Sequence, residues 1–278
     1  MAYVKPDQVV KYMIEAGVSK ANLSIKDLLI RGFLGGAILA YATTLAFTAA
    51  IQTKLGIVGA VIFPVGFVII ILLGLELVTG SFGLIPLAVW ERKTRIRQML
   101  SNFFWVSIGH IIGCLVYAIL YFVAITYLGH HNDQDVVQMI VKTAEAKTIG
   151  YKSLGLDGMI TVFVKAILCN WMVTLGAVMA MTSQSTLGKI AAMWLPILTF
   201  FAQGFEHTVV NMFVIPAGIL MGAHVSIIDW WLWNQIPVLI GNFFGGVIFT
   251  GLMLYWTHKK NTNKKRESLV IELQAGKV

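Results

Sequence analysis

Six apolar stretches constrain this chain more than any other feature. They fall at roughly 28–51, 55–75, 103–128, 156–182, 188–222 and 234–257, and each is about 20 residues or longer, the length a helix needs to cross hydrocarbon. Composition agrees: 58% of residues are hydrophobic and 12% charged, with a mean hydropathy of +0.79, whereas a soluble domain carries about 25% charged residues. The expected fold class is an all-α membrane protein with six transmembrane helices.

Residues 1–20 hold no apolar core of signal-peptide length and no small-residue cleavage site, so no cleavable leader is expected. They place Val9, Met13 and Ala16 on one helical face, with Pro6 and Asp7 suited to a first turn. The segment 1–25 is therefore read as a short cytoplasmic helix lying against the membrane or a neighbouring subunit, or as an ordinary solvated helix. Segment 26–258 is the membrane domain and 259–278 a basic cytoplasmic tail. With the N-terminus inside, Lys5, Lys11, Lys20, Lys26, Arg31, Arg92, Lys93, Arg95, Arg97, Lys189 and the tail cations are cytoplasmic, and the outer loops hold only Lys54, Lys142, Lys147 and Lys152. This bias predicts a multi-pass protein of the cell membrane with both termini inside. It also accounts for the net charge of +8 as a topology signal meeting anionic lipid, so no nucleic-acid partner is expected. Cys114 and Cys169 lie within apolar spans without metal-ligand spacing and are read as packing residues.

A second feature repeats. GLELVTGSFGLIP at 74–86 and GFEHTVVNMFVIP at 204–216 share Gly, Glu and Ile-Pro at the same spacing. The likeness continues outward: RGFLGG at 31–36 resembles KAILCN at 165–170, and IGHIIG at 108–113 resembles IGNFFG at 240–245. The chain thus reads as two copies of a three-span unit, 26–128 and 156–258. Three is odd, so the copies cross the membrane in opposite senses, and such inverted repeats commonly place a site near the midplane between interrupted helices. The second and fifth spans are expected to be interrupted. Glu76 and Glu206, with Asn211, are read as supports of the breaks, their carboxylates accepting bonds from freed backbone N–H groups. The Ile-Pro pairs would start or bend the continuing half-helices.

The copies differ where chemistry is expected. Leu77 in the first becomes His207 in the second, and only the first carries Thr79-Gly-Ser-Phe-Gly83, whose glycines and hydroxyls suit an irregular loop. His207, beside Glu206 and one turn from Asn211, is the leading functional candidate. An imidazole there can donate a hydrogen bond when neutral, or attract a small anion and exchange a proton with it. His110 and Asn242 are read as interhelical hydrogen-bonding groups. His130, His131, His224 and His258 belong to loops or interfaces.

With these motifs in order, the chain resembles the formate/nitrite transporter family over about residues 5–260. The carrying residues are GFEHTVVNMF at 204–213 with Ile215-Pro216, LCNW at 168–171, Leu77-Val-Thr79 and IGNFFGG at 240–246. The resemblance implies an aquaporin-like protomer, five of which form a homopentamer with a pore in each subunit, passing formate, nitrite or hydrosulfide. It implies that His207 is the central histidine, Thr79 its partner or gate, and Asn170 a pore-facing asparagine. Phe63 and Phe200 match an outer slit and Leu77 an inner one. Val78 stands where the family often has phenylalanine. Lys147 matches the vestibular lysine, with Lys152 as the alternative. No cofactor is implied.

The paired Asn-Pro-Ala of aquaporins, the Gly-x-Ser-Gly of intramembrane serine proteases, an HExxH helix and a P-loop are all lacking in the sequence, so an enzyme is not expected. A structural scaffold would need neither an intramembrane His207 nor two broken spans. The expected activity is bidirectional, pH-dependent permeation of formate, with a proton supplied from solvent or through His207, and with nitrite and hydrosulfide as the alternatives.

Overall fold

A computed structural model describes residues 3–259. Helix α1 (Pro6–Ala21) begins with Pro6 in its first turn, where no amide bond is lost. α2 (Ile25–Thr53) follows, with the Ser24 hydroxyl accepting from the Asp27 amide at 3.1 Å. Next come α3 (Gly56–Ile62), α4 (Pro64–Leu72), α5 (Val78–Ser81), α6 (Ile85–Trp90) and α7 (Ile96–Thr126). The second half runs through α8 (Asp135–Ala146), α9 (Ile149–Lys152), α10 (Gly155–Met179), α11 (Thr186–Ala202) and α12 (Thr208–Leu220), and ends in the helical segment Ile227–Lys259. No β-strand occurs among the described residues. Four segments, Ile25–Thr53, Ile96–Thr126, Gly155–Thr182 and Ile227–Lys259, are long and apolar enough to cross a membrane.

Between them lie shorter apolar helices in two pairs, Gly56–Leu72 with Val78–Trp90 and Thr186–Ala202 with Thr208–Leu220. Each pair is separated by five non-helical residues, 73–77 and 203–207. Gly74 and Gly204 open the two gaps at φ of 63° and 64°, a left-handed turn in which a side chain is strained. The copies then diverge. In the first, the chain turns again after α5, and α6 starts with Pro86 in its first turn. In the second, α12 runs unbroken with Pro216 inside it.

Small residues let the long helices cross closely. A Cβ on Gly36 would strike the His110 backbone, and one on Gly113 the Phe33 backbone, so α2 and α7 touch main chain to main chain. Gly241 and Gly245 do the same for the last segment against Phe163 and Ile167 of α10. That segment widens into π-helical turns at Trp231–Gln235 and Gly245–Leu252.

Two elements differ from the sequence expectation. α1 packs on its own subunit, burying Val9, Val10, Met13 and Ile14 with Leu84, Leu87 and Val178. Residues 135–152 form α8 and α9 rather than an outer loop, because Val137, Ile140 and Ala144 recur at helical spacing and are fully buried. Of the basic tail, only Lys259 lies within the described residues. It joins Tyr255 in binding Glu91 just past α6.

Candidate functional site: a histidine and a threonine between two cation-lined cavities

Each helix break needs acceptors for the amides at the head of the continuing helix. The glutamates do not supply them. The Val78 amide donates to His110 Nε2 at 3.1 Å, and the Thr208 amide donates to Asn242 Oδ1 at 2.9 Å. The same two side chains bind equivalent carbonyls on the preceding copy-mates, His110 Nδ1 to Gly32 O at 2.7 Å and Asn242 Nδ2 to Ala166 O at 2.7 Å. His110 and Asn242 are thus fixed interhelical caps, as their positions in the repeat suggested. The carboxylates instead hold lysines. Lys20 Nζ lies 2.8 Å from Glu76 Oε1, and Lys147 Nζ 2.8 Å from Glu206 Oε2. Support of the breaks by carboxylate-to-amide bonds is therefore replaced by support through ion pairs, since the cap positions were already occupied by His110 and Asn242.

His207 caps its own helix. Its Nδ1 accepts from the amides of Val209 and Val210 at 3.2 and 3.3 Å. A nitrogen accepting two amide hydrogens carries none, so the neutral ring bears its hydrogen on Nε2. Nε2 lies 3.1 Å from Thr79 Oγ1, and the direction follows: His207 donates and Thr79 accepts. The Thr79 hydroxyl hydrogen is left free, with no acceptor for it among the described residues. The Thr79 carbonyl is fixed from behind by Asn170 Nδ2 at 3.0 Å and Thr174 Oγ1 at 3.2 Å. Asn170 Nδ2 also donates to Asn242 O at 2.6 Å, while its Oδ1 is buried without a partner.

Aromatic rings cover this pair. The Phe200 ring lies over His207 at 5.6 Å between centroids, Phe63 meets Phe200 edge-on at 5.8 Å, and Phe63 stacks on Phe201 at 3.9 Å. Phe63, Phe200, Leu77, Val78, Thr79, Asn170 and His207 are all buried.

On either side lie two cavities of about 800 and 780 Å3. Lys20, Arg31, Glu76 and Leu77 line the first, with Gln184 from just before α11 and Lys189 from its first turn. Lys147, Lys165, Tyr151 and Glu206 line the second, with Gly204 from just beyond the end of α11. The cavities therefore stand at opposite ends of that 17-residue helix, about 25 Å apart at 1.5 Å per residue. Lys147 rather than Lys152 faces Glu206. Lys152 is half exposed and pairs with Asp229 at 2.8 Å. Asn211 Nδ2 donates to Glu206 Oε2 at 2.8 Å.

Sequence reasoning missed Lys20, the twin of Lys147, having read it as a topology charge. The signal was present: Lys20 precedes its glutamate by 56 residues and Lys147 precedes its own by 59. Thr174 and Asn234 were also missed, the latter donating to Lys147 O at 2.9 Å. No three His, Cys, Asp or Glu side chains are grouped to hold a metal among the described residues.

Residues 7–256 match the family described as formate/nitrite transporter. The formate channel BtFdhC of Bacillus thuringiensis is 33% identical over 266 residues, covering 94% of this chain and 98% of that protein. Among solved structures, an ion channel of the same family superposes with a TM-score of 0.76 at 25% identity, over 90% of this chain and 98% of the other. A pentameric formate channel with formate bound superposes with a TM-score of 0.67 at 21% identity, over 84% and 96%. The chain belongs to the formate/nitrite transporter family.

Proposed function

We propose that this protein is a bidirectional formate channel of the cell membrane, six-spanning with both termini cytoplasmic, built as two inverted three-helix repeats with interrupted second and fifth spans, and assembled as a homopentamer. The buried His207–Thr79 pair between two cation-lined cavities carries the reading. The mirrored bonds Val78 to His110 and Thr208 to Asn242 support the inverted repeat, and the related channel solved as a pentamer supports the assembly.

In this reading Lys147 and Lys165 draw the anion into the outer cavity and Lys20 and Arg31 into the inner one. The aromatic layer of Phe63 and Phe200 on one side, and Leu77 with Val78 on the other, exclude water. A bare anion is costly there and a neutral acid cheap. At the centre the Thr79 hydroxyl, oriented by the hydrogen that His207 donates, gives its own hydrogen to the carbonyl oxygen of the passing acid. Asn170 acts through the Thr79 carbonyl, because its amide hydrogens are engaged by main-chain oxygens. A proton accompanies formate from cavity water. Taking it through Nδ1 of His207 would break both bonds at the head of α12. The histidine therefore remains a neutral donor, and acidic outer medium promotes uptake by raising the fraction of formic acid at the aromatic layer.

The test is uptake of labelled formate into proteoliposomes at several outer pH values, for the native chain and His207→Ala, with nitrite and hydrosulfide as competitors. Saturable flux that rises as outer pH falls and drops at least tenfold in His207→Ala supports the reading. Passage of nitrite or hydrosulfide without formate would overturn the substrate, and no passage through intact pentamers would overturn the channel.

A further inference from the structure

Three buried side-chain oxygens have no donor among the described residues, those of Asn102, Asn170 and Asn211. Two belong to side chains that brace the helix breaks, Asn102 through the backbone carbonyl of Lys20 and Asn211 through the Glu206 carboxylate. The third lies at the centre. Asn170 gives its amide hydrogens to main-chain oxygens, of Thr79 at 3.0 Å and of Asn242 at 2.6 Å. Two carbonyl acceptors at one end of the carboxamide fix which end is nitrogen, so the atom left over is Oδ1, an acceptor with no hydrogen of its own. Buried polar atoms nearly always find a partner, and one left open beside a transport path is an acceptor for what passes.

Its place relative to Thr79 follows from the shape of an amide. The oxygen and nitrogen of one carboxamide are about 2.3 Å apart, and Nδ2 bonds the Thr79 carbonyl, so Oδ1 lies within about 5 Å of that carbonyl oxygen. The same threonine carries the hydroxyl to which His207 Nε2 donates at 3.1 Å, and whose own hydrogen is free. One open donor and one open acceptor, both buried, therefore belong to two side chains that are bonded together. The first copy of the repeat offers no second such acceptor. Position 170 corresponds to Gly36, where a Cβ would meet the His110 carbonyl oxygen at 2.6 Å. Like the histidine, this asparagine occurs in one copy alone.

We propose that Thr79 and Asn170 form a two-point site for neutral molecules that carry a carbonyl beside an O–H or N–H group, an inference that rests on the channel reading above. The Thr79 hydroxyl donates to the carbonyl oxygen of the ligand, and Asn170 Oδ1 accepts the hydrogen of its neighbouring group. Formic acid meets both. The formate ion has no hydrogen for Oδ1 and sets a second oxygen against that lone pair, so it leaves a buried acceptor unpaired. Nitrous acid, with N=O beside O–H, satisfies the pair as formic acid does, whereas hydrogen sulfide brings a hydrogen but only a weak acceptor in its sulfur. The class reaches beyond acids. Formamide has the outline of formic acid with NH2 in place of OH and is neutral without taking up a proton, so the site accepts it too.

The test uses two competitors of one shape. Formamide and acetaldehyde share the formyl group and differ only in NH2 against CH3, so acetaldehyde keeps the acceptor and has no hydrogen to donate. Uptake of labelled formate into proteoliposomes holding the intact assembly is measured at one fixed pH with each as competitor. The proposal predicts that formamide inhibits at a concentration at least fivefold below that of acetaldehyde. Asn170→Ala removes the open acceptor and the brace on the Thr79 carbonyl together, and loss of the brace alone would shift both competitors in the same proportion. The proposal instead predicts that the ratio of the two inhibition constants falls toward one. Equal inhibition of the native protein, or an unchanged ratio in an Asn170→Ala protein that still passes formate, would overturn it. If the variant passes no formate, the native comparison decides alone. Passage of formate with equal inhibition sinks this inference and leaves the channel reading standing, while no passage through the native protein removes both.

Discussion

The two helix breaks share a plan and differ in how firmly it is carried out. At Glu206 four side chains, Lys147, Tyr151, Asn211 and Asn234, donate to one carboxylate. At Glu76 only Lys20 and a long bond from Ser81 do so. The continuing helices differ likewise, α12 running 13 residues and α5 only four. Both breaks carry a side-chain cap and a lysine–glutamate pair. They differ in the number of donors on the carboxylate, and the imidazole stands at the end with more of them, opposite a hydroxyl on the short helix.

Removing the carboxylates should break this comparison most forcefully. Glu206→Ala leaves a partly buried lysine and three further donors short of an acceptor, at a cost of about 3 kcal/mol. Glu76→Ala strands two donors and should cost about 1–2 kcal/mol less. Thermal unfolding of the assembly in detergent measures both, and an equal or reversed order would mean that the extra donors at Glu206 are idle.

The caps sharpen the comparison next. Asn242 performs in one copy what His110 performs in the other, so His110→Asn should keep the Val78 cap, with flux and melting temperature near native. His110→Leu leaves that amide unpaired and should cost about 1–3 kcal/mol. If His110→Asn proves as damaging as His110→Leu, the ring has a role beyond accepting one amide and donating to Gly32.

Much of this was legible in the sequence. The positions of the apolar stretches, the two breaks and the singling out of His207 followed from repeats and from polar residues inside apolar runs, while Thr79 as its partner came from the family resemblance. Three things were not legible, each for a physical reason. The amphipathic period of α8 was hidden because its polar face opens on a cavity, and the segment resembles a solvated loop. Lys20 looked like one of many cytoplasmic charges, since only the fold shows which lysine faces a buried glutamate. The helix heads invited carboxylate caps, but spatial neighbours 32 and 34 residues away, His110 and Asn242, reach them first.

A smaller effect concerns the end of the last helical segment. Burial disfavours the ionised Glu91 carboxylate, but bonds from Tyr255 and Lys259 and the charges of Lys259 and Lys93 outweigh it and hold its pKa below the ordinary value of 4.5. A lowered carboxylate pKa gives stability that is present above the unfolded value and lost as pH falls through the folded one. Glu91→Gln should therefore lower the melting temperature slightly at neutral pH, by the equivalent of about 0.5 kcal/mol for a partly exposed pair. The difference should vanish as pH falls through the lowered folded value, where the native carboxylate is itself protonated.

The most direct test of the central claim compares formate flux through Thr79→Ser and Thr79→Val. In the proposed pathway His207 donates to the Thr79 hydroxyl, and this hydroxyl donates to the carbonyl oxygen of the passing acid. Serine keeps the hydroxyl and should retain flux within about threefold. Valine keeps the shape but has no hydrogen to give, and a carbonyl oxygen left unpaired in a dry site, about 1–3 kcal/mol, should lower flux by about fivefold or more. Flux through Thr79→Val equal to native, in a protein that still assembles, would contradict the account.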